Sequence, residues 1–315
     1  MTIARYLREI GRGAQGARSL NPEQAHDLMA QLLDERVSAL EVGAFAIGMR
    51  MKGETVDELQ GFVRALHERL APLPSDRPVI AIASYNGARR LPNLVPLLAL
   101  RLASAGARVL VHGLERDPDR VTTAQVFEAL GYSPALSCEA VDEAWQRHGC
   151  AFVPTPVLSP ALDRLLQVRR TLGLRNSGHT IAKMLCPVRG APCLRLLSHT
   201  HPEFGQLMAG YAERVQAHMG VLRGTEGEAV ADPRRLPRQQ VWVAGVRQAD
   251  LSSEPEPGSL TTLPELPASI DPDTTAGWIA AALRGERPVP LPIVRQTELL
   301  LAALARLAGA PEPTG

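Results

Sequence analysis

The chain has 315 residues and a 45% hydrophobic content, enough to bury a sizeable core as one large domain or two. Its formal net charge of +1 excludes a molecule that is strongly basic throughout, so any anion site must come from local clustering of charge. No uncharged apolar run approaches the roughly 18 residues that a membrane span needs, and Met1 to Gly13 is charged without an apolar core. The expectation is a cytoplasmic protein without a membrane partner. Its four cysteines, Cys138, Cys150, Cys186 and Cys193, form no Cys-x-x-Cys pair and read as reduced thiols rather than zinc ligands.

The first 70 residues read as helices with clear start signals. Asn21-Pro22 is an N-cap followed by proline at the first helical position. Ala25, Leu28, Met29, Leu32 and Leu33 then form one apolar stripe. Ser38-Ala-Leu-Glu41 and Thr55-Val-Asp-Glu58 are capping boxes, with Val37 and Val42 placed as a hydrophobic staple around the first. The second helix runs to about Leu70, with Leu59, Val63, Leu66 and Leu70 on one face. Pro72-Leu-Pro-Ser-Asp-Arg-Pro78 closes this region. Short apolar runs at 79–83, 108–111, 151–153, 194–198 and 219–222 then alternate with helical patterns, which predicts a mainly parallel sheet with crossover helices. Ser159-Pro160 opens a helix that Gly173 can end. Residues 252–272 read as an exposed loop, and helical stretches follow near 274–284 and 295–308.

The first of these strands runs into Ser84-Tyr-Asn-Gly-Ala-Arg-Arg90, with a helix beginning at about Leu94. An α/β protein commonly holds a phosphate on such a loop, and glycines let the backbone approach it closely. This loop has one glycine, a tyrosine, an asparagine and two arginines.

Three stretches resemble the anthranilate phosphoribosyltransferase family, of the glycosyltransferase family 3 fold: "EVGAFAIGMRMKGETVDELQGFVRAL" (41–66), "VLVHGLERDPDRVTTAQVFEALG" (109–131) and "VRRTLGLRNSGHTIAKMLCP" (168–187). The resemblance implies a small helical domain, residues 1–72 completed by helices near 155–186, beside a larger α/β domain spanning 73–315. It also implies a homodimer through the helical domain. The apolar stripes on 22–35 and 55–70 are the candidates for that contact.

The chain departs from the family at its transferase motifs. The family's Gly-Thr-Gly-Gly-Asp loop is Ser84-Tyr85-Asn86-Gly87-Ala88-Arg89 here. Its Lys-His-Gly-Asn-Arg loop is Val111-His112-Gly113-Leu114-Glu115. Its adjacent Asp-Glu pair for magnesium is Arg223-Gly-Thr-Glu-Gly-Glu228, whose carboxylates are not adjacent. Arg169 matches the family's anthranilate-contacting arginine. "SYNGARR", "RNSGHTIAK" and "RGTEGEA" together resemble a narrower bacterial branch, the YbiB type. That branch keeps the fold, loses the transferase motifs and binds nucleic acid without marked sequence preference.

On this reading the phosphate-binding candidates are Tyr85, Asn86, Arg89, Arg90, Arg169, Arg170, Arg175, His179 and Lys183. Arginine pairs with phosphate in a bidentate fork. If the arginines of 169–175 and Lys183 face the same cleft as Arg89 and Arg90, they make a basic patch on a nearly neutral protein. Against this, Arg89 and Arg90 can equally be solvated or paired with carboxylates. Tyr85 can stack on an unpaired base or pack against the sheet edge. His112, in a His-Gly turn after a strand, can bind phosphate or carry a proton, but reads rather as bonding a neighbouring loop. His199 and His201 lie on one side of an extended chain but lack a third ligand of suitable spacing. Glu226 and Glu228 can be a remnant of the metal site but read rather as a solvated loop. No catalytic residue, metal or cofactor is assigned. The expected partners are DNA or RNA, bound independently of sequence, and a second copy of the chain. The rival expectation is an active phosphoribosyl or pentosyl transferase with an unusual substrate.

Overall fold

The computed structural model describes residues 2–13 and 15–307. Its chain divides into two compact units. One takes the chain up to Ala71 together with Thr155–Pro187; the other takes Pro72–Pro154 and the chain from Val188 onward. The last position of the helix expected near 295–308 lies outside the described residues.

The first unit carries helices Ala4–Ile10, Pro22–Leu33, Ala39–Lys52 and Val56–His67, and local side-chain caps set the last three. The Asn21 side chain accepts from Gln24 N at 2.9 Å while Asn21 N donates to Gln24 Oε1 at 3.1 Å. Ser38 with Glu41 and Thr55 with Glu58 repeat this reciprocal pairing. Helices Pro22–Leu33 and Val56–His67 then lie against each other. Gly61 makes the approach possible, since a Cβ there would come within 2.3 Å of Pro22 O. Glu58 is fully buried and accepts from Lys52 Nζ at 2.6 Å and Leu20 N at 3.0 Å, so its charge is paired as burial requires. The returning helices are Thr155–Leu158, Pro160–Leu172 and Ser177–Ala182. Ser159 caps the middle one, and Gly173 ends it with φ 69.

The apolar stripes of this unit differ from expectation. Leu28, Met29, Leu32 and Leu33 are buried, as are Leu59, Val63 and Leu66, because the two helices that carry them cover each other. Besides Leu174, which follows helix Pro160–Leu172, the large apolar residues left in solvent here belong to helix Ala39–Lys52. Leu40 is 83% exposed, Ile47 42% and Met51 68%, and all three fall on one helical face.

The second unit carries strands β1 (Leu73–Pro74), β2 (Val79–Ser84), β3 (Arg108–Gly113), β4 (Cys150–Pro154), β5 (Val188–Arg189), β6 (Cys193–His199), β7 (Met219–Arg223), β8 (Gln239–Val243) and β9 (Val246–Arg247). β1 and β5 form a small parallel pair; the others form a sheet in the order β4-β3-β2-β6-β7-β8-β9. β4 through β7 are parallel, and β8 and β9 add an antiparallel edge that the sequence reading did not anticipate. The edge turns at Ala244-Gly245, where φ is 47 and 74, the positive values that a tight hairpin needs at both positions. The β2, β3 and β4 runs are buried as near-continuous apolar segments, as strands covered on both faces are. Strand order reverses between β2 and β6, so loops leaving the carboxyl ends of these strands diverge there, where open α/β sheets commonly bind ligands.

Candidate nucleic-acid interface

The loop after β2 is pinned on two sides. Ala88 pairs with Val121, N–H to carbonyl in both directions at 2.7 and 3.0 Å, and Arg120 Nη1 donates to Gly87 O at 3.4 Å. On the other side the loop's own amides converge on two carboxylates of the turn after β7. Asn86 N donates to Glu228 Oε1 at 2.7 Å, and Gly87 N donates to the same oxygen. Arg89 N donates to Glu226 Oε2 at 2.6 Å, Arg90 N to both Glu226 oxygens at 3.1 Å, and Leu91 N to Oε2 at 3.4 Å. Oriented backbone N–H groups of this kind make an anion-binding concavity. Here the anion is supplied by the chain itself.

The turn that carries these carboxylates is locked without their help. Thr225 N and Oγ1 both bond Val230 O, Glu228 N bonds Thr225 O, and the Gly227 carbonyl accepts from Asn86 Nδ2 and Ser198 Oγ. Gly227 has φ 87, and a Cβ there would meet Asn86 Nδ2 at 2.2 Å, so only glycine fits. Asn86 follows β2 and Ser198 lies in β6, so the turn fills the space above the point of strand reversal.

These contacts correct several expectations. Glu226 and Glu228 are not a solvated loop: Glu228 is 2% exposed, and both carboxylates hold the β2 loop. Tyr85 is 2% exposed and its hydroxyl meets His112 Nδ1 at 2.9 Å, which takes its ring out of reach of a base. Asn86 is buried and spends its side chain on Gly227. His112 belongs to β3 rather than to a turn after it. Burial, with no compensating charge, pushes its pKa down to about 3. His199 Nδ1 is engaged with His201 O at 3.1 Å. Arg89 and Arg90 are exposed, on the outer side of a loop whose backbone faces inward.

The second group of candidates belongs to the other unit. Arg169 and Arg170 form the last turn of helix Pro160–Leu172, Arg175 follows Gly173, and Lys183 ends helix Ser177–Ala182. Arg170 is exposed; Arg169, Arg175 and Lys183 are half-buried. His179 is buried and not a cation. Burial lowers its pKa to about 3, and the charges of Arg175, Arg169 and Lys183 push the same way. That three cations act on one imidazole shows them to be gathered around it.

Sequence reasoning missed the pairing of Glu226 and Glu228 with the β2 loop. The available signal was Thr-Glu-Gly-Glu directly after a strand, which puts two carboxylates at the same end of the sheet as the loop amides. It also missed Arg120 and Arg234. Arg234 is held charged first by its hydrogen bond to Asp232 and also feels the charge of Glu226.

The comparisons with known proteins agree with this architecture. A glycosyl transferase family helical bundle domain matches residues 4–70, and a glycosyl transferase family a/b domain matches residues 87–249. The uncharacterized protein YbiB of Escherichia coli (strain K12) is 36% identical over 317 residues, covering 98% of this chain and 96% of the relative. Anthranilate phosphoribosyltransferase of Dictyoglomus turgidum is 28% identical over 218 residues, 69% of this chain and 60% of the relative. Among solved structures, anthranilate phosphoribosyltransferase from Saccharomyces cerevisiae in complex with PRPP and Mg superposes with a TM-score of 0.73 at 15% identity, over 96% of this chain and 89% of that one. The helical bundle, the mostly parallel sheet and these matches together make the chain a member of the glycosyl transferase family 3 proteins, the homologues of anthranilate phosphoribosyltransferase.

Proposed function

We propose that this protein binds DNA or RNA through phosphate contacts, independently of sequence, on a fold whose transferase pocket is closed. The observation that carries the reading is the occupation of the β2-loop amides by Glu226 and Glu228 while Arg89 and Arg90 stay exposed. A substrate pyrophosphate would have to displace two carboxylates that are already hydrogen-bonded, in a loop with one glycine. A nucleic-acid backbone needs only the exposed guanidinium forks. Exposed Arg170 and the half-buried Arg169, Arg175 and Lys183 add positive charge on the helical unit. With aromatic residues at 4% and Tyr85 buried, phosphate contacts rather than base stacking carry the affinity.

The working form in this reading is a homodimer joined through helix Ala39–Lys52, whose exposed Leu40, Ile47 and Met51 form the contact. Two binding surfaces on one assembly then raise avidity without new contacts.

Paired titrations test the proposal. Mixed-sequence DNA should bind with an affinity that falls steeply with salt. Phosphoribosyl pyrophosphate with magnesium should give no saturable heat in calorimetry. Saturable, magnesium-dependent binding with salt-insensitive DNA retention would instead favour a transferase.

A further inference from the structure

We infer that Glu226 is a built-in competitor for oxyanions: its carboxylate occupies a phosphate-class anion site formed by the backbone of Arg89, Arg90 and Leu91, and shortening it opens that site. The inference concerns a free anion and does not depend on nucleic-acid binding.

The geometry is that of a ligand and its cradle. Glu226 Oε2 accepts from three successive amides, at 2.6 Å from Arg89, 3.1 Å from Arg90 and 3.4 Å from Leu91, while Oε1 accepts from Arg90 at 3.1 Å. Two oxygens on one charged carbon engaging a run of amides match the way a phosphate edge is held. Glu226 reaches this position from a residue with φ 53, a conformation uncommon outside glycine, so the turn is bent to deliver it. Arg234 adds positive charge near the same carboxylate.

Among the described residues, the hydrogen bonds that hold the turn together do not use this side chain. Thr225, Gly227, Glu228 and Val230 hold it through their own bonds, and Glu228 continues to satisfy Asn86 and Gly87. Removing the Glu226 carboxylate therefore leaves three amides without their acceptor at a half-buried surface position, where a solution anion can replace it. Glu226→Gln is different. Its carbonyl oxygen can keep the Oε2 position, so the charge is lost while the cradle stays filled.

The experiment titrates inorganic pyrophosphate into wild type, Glu226→Ala and Glu226→Gln by calorimetry, while the Arg89, Arg90 and Leu91 amide resonances are followed by NMR. The alanine variant should bind about tenfold to hundredfold more tightly than wild type, with shifts concentrated on those three amides. The glutamine variant should stay near wild type. Glu226→Ser replaces the alanine variant if the latter does not fold. A folded alanine or serine variant without tighter binding overturns the inference. So does a glutamine variant that gains as much as alanine, because charge rather than occupancy would then be the cause. DNA affinity of the wild type is read separately, so a failed binding function and a failed plug are distinguishable.

Discussion

His112 and His179 reach the same electrical state by different routes. His112 lies in the interior of the sheet beside the Tyr85 hydroxyl, and desolvation alone makes its protonation costly. His179 is buried too, but it also faces Arg175, Arg169 and Lys183, each of which opposes a further positive charge. Both fall from the ordinary value of 6.5 to about 3. The unfolded chain therefore takes up a proton at each of these positions near 6.5, and the folded chain does so only near 3. Stability is present above the unfolded value and is lost as pH falls from about 6.5 towards 3, each group contributing a slope of at most about 1.4 kcal/mol per pH unit. Urea midpoints measured from neutral pH down to about 5, above most carboxylate titrations, should fall with pH in the wild type. A His179→Gln variant should show a flatter slope. A wild-type midpoint that does not move over that range would contradict the neutral burial of both rings.

Helix Ala39–Lys52 has an excess of apolar surface that its own unit does not use. Phe45, Ala46 and Met49 bury one face, while Leu40, Ile47 and Met51 on the other remain in solvent, with Gly43 and Ala44 between them adding little bulk. In the homodimer proposed above, this exposed apolar strip is the contact. Because a twofold contact uses the same patch on both copies, one charged residue introduces two like charges. Ile47→Glu and Met51→Glu should each turn a dimer into a monomer in light scattering at about micromolar concentration, while the melting temperature of the subunit core changes little, since both positions are exposed. A wild-type protein that is already monomeric would remove the basis of the dimer. This helix also marks where the sequence stopped being informative. The capping boxes at Ser38 and Thr55 and the strands at 79–83 and 108–111 were legible because their signals are local. Which of several apolar stripes would be left uncovered was not, because that depends on Gly61 letting helices Pro22–Leu33 and Val56–His67 close on each other. The same limit applies to the site. Arg89 and Glu226 are 137 residues apart, and no local pattern announces that one supplies the amide and the other the anion.

At the scale of the whole molecule, a net charge of +1 means that binding to a polyanion must come from patches rather than from the overall field. Salt dependence then counts contacts. Each phosphate neutralised contributes about −0.9 to the slope of log K against log salt for duplex DNA, and roughly −0.7 for single strands. Arg89 and Arg90 expose their side chains on a loop whose backbone is held by Glu226 and Glu228, so replacing both with alanine should leave the fold intact and flatten the slope by about one to two units. Arg169→Ala and Arg170→Ala should act in the same direction from the other unit. Removing Arg169 also takes away one of the charges opposing protonation of His179, so the His179 pKa should rise in that variant, a direct NMR check that the substitution acted where intended. The four-arginine variant should lose about two to three units of slope. Its loss should be equal for unrelated sequences, because phosphate contacts position a duplex without reading its bases. A four-arginine variant that is folded, with a raised His179 pKa, yet holds DNA with unchanged affinity and slope would place the binding surface elsewhere and end the case for these residues.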